Sequence, residues 1–228
     1  MYEFLLSLIQ SLVIIILYYF LSLKIIEKTK VEVSFFNILF LYHLIFCFAY
    51  IAYCYFEISD SKTTFYLSTI TEFNNYNEQQ IASFNLEFGQ PFMILIVKYI
   101  VLPLQLTFIS GTVIFGMISF TGILILYWLM RESTPDEKKI DIYLIRIFFL
   151  FPSLHFWQMS MSKDAIIFFC ICLFILFLSN IKNYLYLGIV SLTIIFLLRP
   201  YLIPFFLTFT LISFILDKKI KANFKLLT

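Results

Sequence analysis

Long apolar runs separated by short polar segments dominate this chain from its first residues to its last. Seven of these runs approach the roughly 20 residues that an α-helix needs to cross the hydrocarbon core of a bilayer. They lie at about 4–23, 35–56, 112–130, 142–157, 165–179, 184–198 and 201–216, and Pro152 kinks or ends the fourth. The pattern predicts an all-α fold, in which residues 1–228 form one integral membrane domain built as a bundle of about seven transmembrane helices.

A further apolar run, from 91 to 109, is interrupted by Lys98, Pro103 and Gln105. Irregular backbone at membrane depth is tolerated where it is buried in protein rather than exposed to lipid. This run is therefore either a full span or a re-entrant or interfacial helix. Ser110-Gly111 separates it from the next span, which is expected to begin at about residue 112.

The basic residues decide between these alternatives, because lysine and arginine prefer the cytoplasmic side of a membrane. If 91–109 does not cross, the N-terminus lies outside, the C-terminus lies in the cytoplasm, and twelve of the sixteen basic residues fall on the cytoplasmic side. If it crosses, the lysine-rich tail falls outside. The first arrangement is preferred. It has seven spans plus one re-entrant or interfacial helix, an external loop at 57–90, a cytoplasmic loop at 131–141 and a cytoplasmic tail at 217–228.

The amino-acid composition indicates whether the chain is surrounded by lipid or binds nucleic acid. The chain is 62% hydrophobic and 13% charged, whereas soluble domains contain about 25% charged residues. The net charge of +2 gives no indication of nucleic-acid binding, so the lipid bilayer is the expected surrounding. The four cysteines lie inside predicted spans without a CxxC pair, and they are interpreted as small apolar residues rather than metal ligands or a disulfide framework.

The most unusual polar segment lies between two apolar runs and ends in Ser162-Lys163-Asp164. It also contains His155, one of only two histidines in the chain. Ser162 is a good helix N-cap, and Asp164 suits the positive end of the helix dipole. The same helix start, together with Lys163, would form an anion site for a phosphate or diphosphate. His155 is either a surface histidine without a task or an acid, base or phosphate ligand.

Three polar residues elsewhere have both an ordinary and a functional interpretation. His43, inside the second span, is more readily an interhelical hydrogen-bond partner than a functional group. Arg199, before Pro200, either simply reaches the headgroups or, at the level of Lys163, helps to bind a diphosphate. Asp60 closely follows the second span and could act as a general base or metal ligand, although acidic residues in a solvated loop are ordinary.

Short motifs in the second half of the chain resemble those of multi-span membrane proteins from bacterial surface-polysaccharide loci. The motifs are Pro152-Ser153-Leu154-His155-Phe156-Trp157, Ser162-Lys163-Asp164 and Leu198-Arg199-Pro200. In this respect the chain is similar to glycosyltransferases of the GT-C type and to oligosaccharide-repeat polymerases. It departs from their pattern at Tyr201, where a histidine is common, and in ending at Thr228, whereas most such proteins have more spans. A compact member, a truncated one and one that needs a partner subunit would all fit.

The resemblance implies sugar transfer from a polyprenyl phosphate or diphosphate at the outer face of the bacterial inner (cytoplasmic) membrane. Lys163 and Arg199, with Asp164 beside them, are implied to bind the phosphate. Asp60 matches by position the early external acidic residue of the GT-C type and would act as base or metal ligand, with His155 assisting. The motifs demand no cofactor, although a divalent cation such as Mg²⁺ or Mn²⁺ would suit Asp60. The alternative is a non-enzymatic membrane subunit, or a transporter component or assembly partner for lipid-linked glycans.

Overall fold

The computed structural model describes residues 2–27, 29, 31–57, 59–69, 88–135 and 138–216, and every regular element in this part of the chain is a helix. The all-α class is therefore confirmed. The α-helices are α1 (Tyr2–Ile26), α2 (Val33–Phe56), α3 (Asp60–Thr69), α4 (Gln90–Val101), α5 (Phe108–Ser133), α6 (Lys139–Phe149), α7 (Pro152–Phe156), α8 (Lys163–Ser179), α9 (Ile181–Leu198) and α10 (Ile203–Leu216). Two short 3-10 turns lie at Trp157–Met159 and Pro200–Leu202.

Four of the described helices are long and apolar enough to cross a membrane, namely α1, α2, α5 and α9. A fifth span is formed if α6 and the bent segment after it are counted together. Such helices are consistent with an integral membrane protein, because apolar helices of this length have little reason to occur in a small soluble domain. The count of four or five is lower than the seven spans that the sequence predicts.

α5 lies at the centre of the bundle and packs against α1, α2 and α8. Gly122 allows α8 to come so close that a Cβ placed there would lie 3.3 Å from Phe169 Cα. Small residues at such interfaces are typical of membrane bundles, because they let helix backbones approach without a hydrophobic driving force. Contacts along the helices show that α1 and α8 run in the same direction as α5, whereas α2 and α9 run in the opposite direction.

At the lower end of the bundle, which we define by Glu32, one carboxylate joins three helices. Glu32 Oε1 lies 3.2 Å from Arg131 Nε and 3.1 Å from Arg146 Nη2, and Oε2 accepts from the Tyr127 hydroxyl at 3.0 Å. Burial raises the pKa of Glu32, but hydrogen bonds, including those from Tyr127 and Arg131, hold its pKa below the ordinary value. The ionised carboxylate thus ties the start of α2 to α5 and α6.

The upper end of the bundle is where α8 begins and α9 ends. α5 also begins there, because a Cβ on Gly111 would lie 2.9 Å from Met161 Sδ. α4 starts where the Gly89 N–H donates to Leu197 O at 2.9 Å, and it ends where Val101 comes within 3.6 Å of that Gly111 position. Both ends of α4 therefore lie at the upper end, which is the geometry expected of a re-entrant or interfacial helix.

α6 and the segment beginning with α7 are bent by 52°, which confirms the predicted kink at Pro152. Because proline lacks an N–H, carbonyls of the preceding turn lose their helical partners. Two of these carbonyls bond to side chains instead: Phe149 O contacts His155 Nε2 at 2.6 Å, and Leu150 O accepts from the Tyr42 hydroxyl at 2.8 Å. In an apolar surrounding, these bonds remove the cost of unpaired backbone groups.

α5 begins earlier than the sequence predicts, because Ser110 and Gly111 lie in its first turn instead of breaking the run. Thr107 and Ser110 form a reciprocal capping box, in which each side chain accepts from the other residue's backbone N–H. Gln10 of α1 adds to this cap: Oε1 accepts from Ser110 Oγ at 2.8 Å and Nε2 donates to Gln105 O at 3.0 Å. Ser110 is therefore part of a helix start.

Candidate functional site

Three chain segments meet at the upper end of the bundle: the start of α8, the end of α9 and the turn before α4. We call the residues of this junction the cation site, because two of its own side chains, those of Lys163 and Arg199, are cationic. The site consists of Lys163, Asp164, Arg199, Gly89 and Gln90. The site unites two of the sequence motifs that lie far apart along the chain, and it adds a third segment that the sequence did not associate with them.

The start of α8 has the cap that the sequence predicts. Ser162 has an extended backbone, and its side chain accepts from the Asp164 N–H. Lys163 is the first residue of the helix and is half-buried. Its Nζ reaches the turn before α4, where a Cβ placed on Gly89 would lie 3.9 Å from it. The ammonium group therefore lies against protein backbone at the helix start.

Arg199 directly follows α9 and pairs with Asp164 at the start of α8. Arg199 Nη2 donates to Asp164 Oδ1 at 2.6 Å, and 32% and 49% of the two side chains remain exposed. A guanidinium group carries five N–H donors, so this bond leaves further donors for an anion. The resemblance implies that Asp164 binds the phosphate together with its neighbours. In the structure the Asp164 carboxylate is the counter-ion that orients Arg199. A direct contact with phosphate is unfavourable, because the carboxylate and the phosphate are both anions and repel each other.

The turn before α4 completes the site. Gly89 has φ +93°, a backbone conformation that residues with a side chain rarely adopt. Its N–H bonds the end of α9, and the next side chain, Gln90, donates from Nε2 to Thr64 Oγ1 at 2.6 Å. The turn thus connects α9 and the neighbourhood of Lys163 to α3.

Asp60 is the first residue of α3 and is exposed. It lies one helical turn before Thr64, the residue that bonds Gln90, so α3 carries Asp60 on the same end of the bundle as the cation site. The rest of the acidic segment that the sequence places in an external loop, 70–87, lies outside the described residues. The position of Asp60 is compatible with a base acting above the cation site.

His155 does not belong to this site. The sequence places it at the outer interface, but the structure buries it completely, between His43 Nδ1 at 2.9 Å and Phe149 O at 2.6 Å. His43 is also fully buried and bonds Gly116 O through Nε2 at 2.9 Å, which confirms its prediction as an interhelical partner. The kink at Pro152 turns His155 into the bundle, where α2 provides its partner.

Two features of the structure were missed by the sequence reasoning. The Gly89-Gln90-Pro91 sequence carries a usable signal, since glycine shortly before proline marks a turn followed by a helix start. The bond between His43 and His155 has a weaker signal in the sequence, which is that these are the only two histidines in the chain.

The residue types that bind metal ions do not cluster in the part of the chain that the structure describes. Within the described parts of the chain, no group of three or more histidine, cysteine or carboxylate side chains is arranged to hold a metal ion. A divalent cation at Asp60 stays a prediction of the resemblance. The four cysteines are buried and unpaired by disulfides, which confirms their interpretation as apolar packing residues.

The fold and composition define an all-helical protein with several helices suited to a membrane. No protein-family model, curated protein or solved structure matches this chain. The resemblance to glycosyltransferases and polymerases therefore stays a prediction from short sequence motifs.

Proposed function

We propose that this chain binds a polyprenyl phosphate- or diphosphate-linked sugar at the cation site and takes part in sugar transfer, as a membrane glycosyltransferase or polysaccharide polymerase. The observation that carries the proposal is the convergence of Lys163 and Arg199 from two helices at one end of the bundle. Two cations beside a helix N-terminus favour an anion with several oxygens, such as a diphosphate.

The chemistry follows from these positions. Departure of a phosphate leaving group is assisted chiefly by fixed positive charge, which Lys163 and Arg199 supply. Asp164 holds Arg199 in place. In this proposal Asp60 accepts a proton from the attacking sugar hydroxyl. The bond between its helix and Gln90 of the cation site supports this role. His155 receives no direct role, since it is buried and bonded on both ring nitrogens.

The same proposal sets the orientation in the bacterial inner membrane. The upper end faces outwards and the lower end faces the cytoplasm, because most basic residues lie towards the lower end or in the tail. The seven crossings are then α1, α2, α5, the bent α6–α7 segment, α8, α9 and α10, with α4 not crossing. This arrangement places the N-terminus outside and the C-terminus inside.

A second candidate is a non-enzymatic subunit or assembly partner that holds the lipid-linked sugar for another membrane protein. The burial of His155 favours this alternative, because it removes one of the two residues to which the sequence assigned catalysis. Both candidates share the cation site and differ in the role of Asp60.

The test is binding of a polyprenyl diphosphate to the purified chain in detergent, with the corresponding polyprenol as the ligand that lacks phosphate. Lys163→Ala and Arg199→Ala are each expected to weaken diphosphate binding about tenfold or more, because a hydrogen bond to a charged group contributes roughly 1.5–3 kcal/mol. Binding of the polyprenol should not change. Equal diphosphate affinity in wild type and both variants would refute the proposal.

Two control variants separate binding from folding. Lys182→Ala removes an exposed lysine at the far end of the α8–α9 hairpin and should bind like wild type. Asp164→Asn removes the negative charge beside Arg199 but keeps an amide oxygen that can accept from Nη2, so it should retain or strengthen binding. A loss of binding would show that the charge of Asp164 is needed to hold Arg199 in place. Asp60→Asn distinguishes the two candidates: an enzyme loses sugar transfer with binding intact, and a subunit does not.

A further inference from the structure

The two histidines form one buried line of hydrogen bonds across the bundle. Gly116 O of α5 contacts His43 Nε2 at 2.9 Å, His43 Nδ1 contacts His155 Nδ1 at 2.9 Å, and His155 Nε2 contacts Phe149 O at 2.6 Å. Both side chains are fully buried. Every ring nitrogen of both histidines is thus in a short polar contact.

The hydrogens in this line can be counted. A carbonyl oxygen only accepts, so both Nε2 atoms must carry hydrogen. Two neutral imidazoles have one N–H each, so the two Nδ1 atoms would then face each other with lone pairs at 2.9 Å. We infer that His43 and His155 share one additional proton between their Nδ1 atoms, so that the pair is a buried proton-binding site with a single positive charge.

Moving the hydrogen of His43 from Nε2 to Nδ1 does not make a neutral pair satisfactory, because the contact with Gly116 O is then lost. If His43 carried its hydrogen on Nδ1, that hydrogen would satisfy His155, but His43 Nε2 would face Gly116 O without a hydrogen. The Ser119 hydroxyl does not relieve this contact, because it donates to the same Gly116 O at 2.8 Å. If instead His155 carried its hydrogen on Nδ1, His155 Nε2 would face Phe149 O without a hydrogen. Each neutral arrangement therefore leaves at least one pair of acceptors at hydrogen-bonding distance, whereas the protonated pair leaves none.

The surroundings of the pair are aromatic. The ring centroid of Phe120 lies 4.7 Å from that of His43, and the centroids of Tyr42 and Phe46 lie 5.0 Å and 6.1 Å from that of His155. Aromatic rings attract cations. This attraction and the three hydrogen bonds act against the cost of burying one charge.

Ionisable neighbours do not provide a counter-charge. From α2, the titratable groups beside the pair are Tyr42, whose hydroxyl donates to Leu150 O, and Cys47, which lies near Gly116. α5 contributes the Gly116 carbonyl and the Phe120 ring, and α6 contributes the Phe149 carbonyl. Within the described residues, no carboxylate bonds either ring, so the proton itself is what joins them.

The shared proton has a consequence for stability. It links the middle of α2 to α5 and to the kink at Pro152, which together fix the position of the segment leading to Lys163. The folded pair binds one extra proton, whereas two histidines in the unfolded chain bind two well below their ordinary pKa of about 6.5 and none well above it. The stabilising effect of the pair is therefore greatest near the ordinary histidine pKa of about 6.5. The effect is lost as pH rises through the value at which the pair releases the proton.

The experiment is nitrogen-15 NMR of the full chain labelled at histidine and purified without a histidine tag. Only this pair contributes signals, because the chain has two histidines. Three ring N–H hydrogens are expected, with one coupled to both Nδ1 atoms, and the third should disappear at high pH. Two ring N–H hydrogens throughout the range from pH 5 to pH 8, about the range in which histidine titrates, would overturn the inference.

A variant gives an independent readout. In His155→Asn, the amide can donate to His43 Nδ1, so the remaining ring is satisfied while neutral. The variant should show one ring N–H. Above about pH 6.5, the ordinary histidine pKa, its thermal transition should change less with pH than that of wild type, which falls as pH rises through release of the shared proton. An identical pH dependence in the two proteins contradicts the inference, and if the variant does not fold, the wild-type spectrum still decides.

Discussion

At the scale of single residues, the close packing between α8 and α9 depends on the lack of a side chain at Gly188. Gly188 is buried, and a Cβ built on it would lie 2.5 Å from Cγ of the Phe177 ring. Such a distance is far inside van der Waals contact. The ring of Phe177 therefore occupies the volume that any larger residue at 188 would need, and the two helices are held at this separation.

Replacing Gly188 with alanine should destabilise the α8–α9 hairpin by about 1–3 kcal/mol through overpacking, even though alanine favours helix by about 1 kcal/mol. Ile189→Ala, at a neighbouring exposed position, is the control for changes on the lipid-facing side. The check is the temperature at which half of the detergent-solubilised protein is lost from the monodisperse peak. Combining Gly188→Ala with Phe177→Leu should restore stability, and failure of this rescue would assign the loss to another cause.

Residue identities were predicted more successfully than residue pairings. The cap at Ser162 and the interhelical role of His43 follow from local rules, because a serine before a helix and a histidine inside a span have few good alternatives. The ion pair of Arg199 with Asp164 depends on how two helices cross. The burial of His155 depends on the angle of the Pro152 kink. Neither crossing nor kink angle is encoded in a one-dimensional pattern.

At the scale of elements, α4 and the loop after it are fixed to α1. The loop contains Gln105, which has φ +47°, and it runs to the capping box of α5. Gln10 provides three contacts to this region: it donates to Gln105 O and accepts from Thr107 N and Ser110 Oγ. One side chain of α1 thus joins the end of α4 and the start of α5.

Gln10→Leu should therefore loosen this loop while keeping an apolar side chain of similar size. Loss of these three bonds, at about 1 kcal/mol each in net contribution, is expected to speed hydrogen exchange of residues 102–107 by up to about 100-fold. Hydrogen exchange measured by mass spectrometry in detergent tests this, with Ile9→Leu at the adjacent exposed position as control. Unchanged exchange at 102–107 in Gln10→Leu would show that the capping box alone holds the loop.

The boundaries of the helices also show what a one-dimensional sequence pattern can and cannot predict. The apolar runs predicted each long helix, because about 20 apolar residues leave little choice in a bilayer. The start of α5 was placed too late, since Ser110-Gly111 resembles a break unless the capping partner Thr107 is recognised. The short helix α3 could not be located inside the polar segment, where no apolar period indicates it.

At the scale of the whole molecule, the two ends of the bundle differ in their chemistry. The lower end carries the Glu32 cluster and the exposed basic residues Lys138 and Lys182, and the upper end carries the cation site. Proposed sugar transfer at the outer face requires that the upper end be external. The orientation is therefore the property on which the mechanism depends most directly, and it can be measured separately from phosphate binding.

Cysteine accessibility on intact cells measures this orientation. Ser162 is a poor reporter despite its place in the motif, because only 8% of it is exposed. Thr63 of α3 and Ser133 at the end of α5 are exposed and lie at the upper and lower ends. After replacement of the native cysteines, we expect an impermeant thiol reagent to label Thr63→Cys but not Ser133→Cys, and to label both after lysis. Labelling of Ser133→Cys alone would place the cation site in the cytoplasm, where Lys163 and Arg199 could still bind a phosphate but transfer at the outer face would be excluded.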